Sequence, residues 1–229
     1  MGWSKRVRAC AIGAALLPWL AACQTSTVTV YPSGSGGGGS QGGNGPTIMA
    51  TIMRTTFASF SLVNTQCQLN VFYQSTPATI TSATLTAPGP IQVPLTGPAG
   101  GPYVDAGGWT YQAGQSYSVQ VVMDGRTYTA SAVAPGDITV PPFTAPGPII
   151  WAYNGNMNEI SVNSTVVAGP VPSAGSGSVS TSSGTYFPGP GSYSIDVLVV
   201  RRVNPAFGVW AHYDSTLMIT DQYVETLSK

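Results

Sequence analysis

The chain has 229 residues, with eight basic and eight acidic side chains, one histidine and three cysteines. Charged residues make up only 7%, against roughly 25% in an ordinary soluble domain, while 28 glycines and 19 prolines supply abundant turn formers. The 43% hydrophobic content falls in alternating patterns, which excludes a disordered chain, and the absence of any basic stripe excludes nucleic acid as a partner.

The first eight residues carry Lys5, Arg6 and Arg8, so the remainder holds five basic against eight acidic residues. Ala9 to Ala22 follows as an apolar stretch of fourteen residues. That is short of the roughly 20 needed to span a bilayer as a helix, and it fits the apolar region of a secretory signal ending in Ala21-Ala22. Residues 1–22 are therefore expected to be a signal peptide. Leu20-Ala21-Ala22-Cys23 resembles the lipobox of bacterial lipoproteins. The resemblance implies a diacylglycerol on the Cys23 thiol, cleavage just before it, and acylation of the new amino terminus. Gln24, being other than Asp, implies the outer membrane in a Gram-negative cell. Residues 23–46 then form the lipid anchor and a Gly/Ser-rich tether, "SGSGGGGSQGGNGP" at its end. The 23 residues between Cys23 and Thr47 reach about 25–30 Å as a coil.

With Cys10 lost in the signal and Cys23 acylated, Cys67 is left without a disulfide partner. In "CQLNVFY" it alternates with Leu69, Val71 and Tyr73, which marks it as a small core residue on a strand. Further on, Tyr103, Trp109 and Tyr111 cluster in the Gly-rich "GGPYVDAGGWTYQAG", a candidate aromatic platform for sugars or protein surfaces. In "SYSVQVVMDGRTYTASAV", Asp124-Gly125 signals a type I′ hairpin. The register it sets pairs Met123 with Arg126, Val121 with Tyr128, Val119 with Ala130 and Tyr117 with Ala132 on one largely apolar face. In "PIIWAYNGNMNEISV", a type II′ loop at Gly155-Asn156 would set Trp151 opposite Ile160 and Ile149 opposite Val162.

The chain repeats itself. "GQSYSVQV" (114–121) returns as "PGSYSIDV" (190–197), which maps Tyr117 onto Tyr193, and "APGD" and "PPF" at 134–143 supply a boundary. The halves 47–138 and 139–229 each suit a β-sandwich in length. Tyr117 and Tyr193, each after a Gly-containing turn, and Trp151 resemble the tyrosine corner and buried tryptophan of fibronectin type III and immunoglobulin-like domains. The resemblance implies an all-β chain of two tandem immunoglobulin/fibronectin-III-like β-sandwiches, without a disulfide. One larger jelly-roll sandwich is the alternative.

Reactive side chains are scarce. His212, Asp214 and Ser215 in "VWAHYDST" carry the types of a catalytic triad, but no G-x-S-x-G elbow accompanies them. Asp105, Asp124, Asp137 and Asp221 are scattered without calcium-loop spacing, and Glu159 and Glu225 are the only glutamates. No catalytic residue, metal site or cofactor is expected. Arg201-Arg202 is expected near a turn, solubilising a sheet edge or docking an acidic partner. Tyr186-Phe187 and Trp210-His212 are candidates for a second aromatic patch. These features point to a lipid-anchored cell-envelope protein, not an enzyme, acting as a binding or structural module through loop aromatics and strand edges. Its expected partners are the membrane, through the lipid on Cys23, and a glycan or envelope protein. A carbohydrate-active or other hydrolase using His212 and Asp214, and a passive spacer, are the alternatives.

Overall fold

The computed structural model describes residues 44–73, 76–77, 80–98, 101–163, 165–171, 175–182 and 184–229. The expected signal peptide, the lipobox-like residues with Cys23 and the expected tether as far as residue 43 lie outside the described residues. Within them the regular structure is β1 (Thr47–Phe57), β2 (Leu62–Tyr73), β3 (Thr76–Pro77), β4 (Ser82–Ala87), β5 (Ile91–Thr96), β6 (Tyr103–Asp105), β7 (Ser116–Met123) and β8 (Arg126–Val133). It continues with β9 (Pro148–Tyr153), β10 (Met157–Val162), β11 (Thr165–Val171), β12 (Gly175–Ser180), β13 (Ser192–Val203) and β14 (Thr216–Ser228). A single 3-10 turn, Ala58–Phe60, interrupts this all-β series. Gly, Pro and β-branched residues leave the chain little other choice.

The strands form one long sheet in the order β11-β10-β13-β14-β1-β2-β6-β5-β4-β7-β8, with β3 on β2, and a separate pair β12-β9. The long sheet doubles back at β5. Ile91 to Pro94 pair with β4, whereas Leu95 and Thr96 pair with β6. Pro94 has no N–H to give to a ladder, so pairing with β4 ends where pairing with β6 begins. The fold-back encloses a first core. Ile48, Ile52, Leu69, Leu217 and Ile219 line it from β1, β2 and β14, and Leu85, Val119, Val121 and Tyr128 from β4, β7 and β8. Cys67 sits in that core opposite Ile52, as its strand pattern implied, and burial raises its thiol pKa, with the Asp105 charge adding to the effect.

A second core lies between the β12-β9 pair and the other end of β13 and β14. Ile149 and Trp151 on β9 meet Ile160, Val162, Ile195, Val197 and Leu227. Gly177 on β12 lies opposite Trp151, where any Cβ would strike the indole. Each fully buried aliphatic side chain in the two cores contributes about 1.5–3 kcal/mol.

Two sequence readings meet this structure differently. The Asp124-Gly125 hairpin forms in the expected register, Met123 to Arg126 and Tyr117 to Ala132, with φ of 51° and 70° at its two turn residues. The Gly155-Asn156 hairpin does not form. β9 pairs with β12, and β10 pairs with β11 and β13, so the 154–156 segment is an arch that carries the chain from one layer to the other. Trp151 and Ile160 do share a core, but they approach from opposite layers. The backbone of Val200 closes on Gly155 so tightly that a Cβ would collide with it, which accounts for the glycine without a turn.

Both repeat tyrosines tie their strands to the preceding loop. The Tyr117 hydroxyl accepts the Gln112 N–H at 2.6 Å, and the Tyr193 hydroxyl donates to the Gly189 carbonyl at 2.7 Å. This is the tyrosine-corner geometry, present once over each core. The halves nevertheless share a sheet, since β1 runs parallel to β14, with Ala50 opposite Leu217 and Ile52 opposite Ile219.

Candidate functional site

The aromatic residues singled out from sequence separate into two groups. Tyr103, Trp109 and Tyr111 are core residues and form no surface platform. After Gly107 and Gly108, both at positive φ, the chain turns inward. The Trp109 ring then meets Tyr117 edge-on at 6.0 Å, and Tyr111 stacks on Tyr117 at 5.8 Å. Tyr111 is also covered by the Arg54 guanidinium, 4.7 Å from its ring centre. Tyr186 is half-buried against the second core, beside the buried Phe187. Since Lys229 Nζ donates to the Phe187 carbonyl, that pair lies at the C-terminal end of β14. Trp210 lies near the beginning of β14, so the expected second patch is not assembled.

Trp210 alone of these aromatics is well exposed, and a site can be built around it. Between β13 and β14 the chain makes a loop whose base is fixed. Ala206, Phe207 and Ala211 are buried in the first core, and Ala206 N–H donates to Ser215 O at 2.8 Å. Phe207 and Gly208, with φ of 68° and 79°, reverse the chain. The reversal projects the next residues outward, leaving Val209 70%, Trp210 63% and Tyr213 54% exposed. The Arg126 guanidinium, just past the Asp124-Gly125 turn, lies 4.8 Å from the Trp210 ring centre. Both line an open cleft of about 260 Å³, together with Tyr73, Met123, Tyr128 and the segment Asn44 to Pro46.

That segment is where the described chain begins, and the loop holds it. His212 N–H donates to Pro46 O at 2.9 Å. The buried Ser215 hydroxyl donates to the same carbonyl and accepts the Ile48 N–H at 3.0 Å. The imidazole Nδ1 accepts the Asp214 backbone N–H at 3.2 Å, with the Asp214 carboxylate 3.5 Å away. His212, Asp214 and Ser215 thus build a turn that docks the start of β1.

The carboxylates considered for metal binding have other partners. Asp105 accepts the N–H groups of Cys67 and Gly107, and Asp124 occupies the hairpin turn. Asp137 and Asp221 both hold Arg54. Among the described residues no three His, Cys, Asp or Glu side chains come together as a metal site. β13 is flanked by β10 and β14 as far as Val200, whereas Arg201-Arg202 run past β10 and pair with β14 alone. Where β10 has not yet begun, the Asn156 side chain continues the ladder, accepting the Arg202 N–H at 2.7 Å and donating to its carbonyl at 2.8 Å.

Sequence reasoning reached Trp210 but missed Arg126, Tyr73, Val209 and Tyr213. The signal present was "GVWAHY", an apolar run that neither alternates nor sits in a strand pattern. The chain matches no protein-family model, and no match was found among curated proteins or solved structures. Fold and geometry define it as an all-β sandwich protein with an exposed aromatic cleft beside the β13–β14 loop.

Proposed function

We propose that this chain is a lipid-anchored protein of the bacterial cell envelope, and that its folded part works by non-covalent binding through the Trp210 cleft. One observation carries the reading. The well-exposed apolar and aromatic side chains of the 205–214 loop stand beside Asn44 to Pro46, the point at which the chain arrives from Cys23. A rigid-based loop presenting Trp, Tyr and Arg offers large contact area at low entropic cost. The lipobox residues Leu20 to Cys23 support the anchor, and Gln24 supports the outer membrane in a Gram-negative cell.

The anchor is tested by Cys23→Ser. In cells fed a labelled fatty acid, the parent chain should take up label and fractionate with membranes. The variant should carry none and appear as an uncut or soluble precursor. Correct trimming and membrane retention of the variant would overturn the reading.

A further inference from the structure

We infer that the 205–214 loop contacts the bilayer itself, at the headgroup level of the membrane that holds Cys23, so that the folded part rests on its tether-proximal end. This rests on the lipid-anchor reading above and names the partner of the same cleft.

Val209, Trp210 and Tyr213 are exposed on one loop, and the half-exposed Tyr73 lies across the cleft. Tryptophan and tyrosine have an apolar body and a polar tip, which suits the boundary between acyl chains and headgroups. Arg126, stacked on the indole, adds a donor for phosphate oxygens. The buried Ala206, Phe207 and Ala211 hold the loop base, so insertion of its tip would cost little ordering.

Position supplies the second step. Pro46 is hydrogen-bonded to His212, so the tether joins the folded part at this loop. Twenty residues separate Cys23 from Asn44, and a Gly/Ser-rich segment of that length reaches about 22–27 Å as a coil. A surface confined so close to the bilayer sees it at high effective concentration, and even a weak contact is then populated. The opposite end of β1, ten residues on, lies about 33 Å away. Charge decides the type of contact. The cation of Arg126 shares the cleft lining with the Asp124 carboxylate, so apolar and aromatic burial must hold the loop and added salt should not release it.

The test uses the full chain, processed and acylated, in vesicles of phosphatidylethanolamine and phosphatidylglycerol. A nitroxide is placed at Val209→Cys, and as a control at Val166→Cys on β11; Cys67 is buried and stays unlabelled. Collision rates with oxygen and with a water-soluble nickel chelate report depth. The label at 209 should be shielded from nickel and accessible to oxygen, unchanged in molar salt, while the label at 166 reads as aqueous. Adding Trp210→Ser should return the 209 label to aqueous values. If the 209 label matches the 166 label on acylated protein, the contact is wrong and the anchor stands. If Trp210→Ser leaves the depth unchanged, the aromatic basis of the contact is overturned. If Cys23 carries no acyl group, the anchor reading fails and takes the contact with it.

Discussion

Asp196 is the side chain at which the environment acts most visibly on a single proton. It points away from the second core, between β10 and β14, where Gln222 Nε2 donates to its Oδ2 at 2.8 Å and Thr55 donates to the Gln222 carbonyl oxygen at 3.0 Å. Its Oδ1 is buried and has no protein partner among the described residues. Burial pushes the carboxyl up from 3.8 to about 6, the nearby Glu159 charge adds to this, and the Gln222 bond opposes it. A carboxyl whose pKa is raised by folding binds its proton more tightly in the folded state. Its contribution is therefore full below about pH 4 and is lost as pH rises through about 6, a swing of about 3 kcal/mol at most. Asp196→Asn should flatten urea-midpoint stability across that window, whereas the parent should lose stability from pH 4 to pH 7. A parent with no such slope, or a variant that keeps it, would show that Asp196 is not the titrating group. Other single residues were legible from sequence in proportion to how local their logic is. Cys67 showed its burial through strict alternation, and Tyr117 and Tyr193 bond to backbone only a few residues upstream. Trp109 and Tyr111 misled because glycines around an aromatic describe the freedom of the turn, not the direction it takes.

At the scale of the element, the two glycine hairpins make the same contrast. Asp124-Gly125 formed as read because both requirements are local: positive φ at both turn residues, and apolar side chains that alternate outward from them. Gly155-Asn156 satisfied the apolar pattern equally well, yet β9 pairs with β12 and β10 with β11 and β13, and neither pairs with the other. Turn chemistry carries no information about such pairings. The structure also assigns the two glycines different duties, and mutation should separate them. At Gly125 a Cβ meets nothing within 4 Å, so Gly125→Ala should cost only the strain of a left-handed alanine, about 1–2 kcal/mol. At Gly155 the added carbon meets the Val200 backbone, so Gly155→Ala should cost more than Gly125→Ala despite its ordinary φ. Thermal or urea unfolding of the two variants checks the order, and equal costs would contradict the arch geometry.

For the molecule as a whole, the continuous sheet matters more than the sequence repeat. The described residues belong to one compact unit, in which the first and last strands are neighbours. Sequence could show two similar halves, but the β1-β14 pairing spans the whole described chain and leaves no local trace. Its consequence appears on the inner face of β14, where Leu217 and Ile219 serve the first core and Leu227 the second. Asp221 stands between them on the same face and is almost wholly buried. Arg54, its register partner on β1, grips it with Nε and Nη2 and reaches Asp137 as well, while the Ile138 N–H donates to the same carboxylate at 3.0 Å. This ionic seam marks the point where the linker after β8 passes from one core to the other. Breaking a buried pair costs about 3–5 kcal/mol, and the partial exposure of Arg54 puts this one near the lower end. Asp221→Leu should therefore lose about 3 kcal/mol, because it leaves the guanidinium only the exposed Asp137 as a partner and takes the acceptor from the Ile138 N–H. Arg54→Leu combined with Asp221→Leu should recover much of that loss, since the only charge left without its partner is the solvent-exposed Asp137. The fluorescence of Trp109 in the first core and Trp151 in the second, each followed in a variant lacking the other and Trp210, should report one shared transition when Arg54 and Asp221 are intact. If Asp221→Leu instead parts these into two transitions, the seam is what makes the two cores unfold together; if it costs less than about 1 kcal/mol, the long β1-β14 ladder holds them without it.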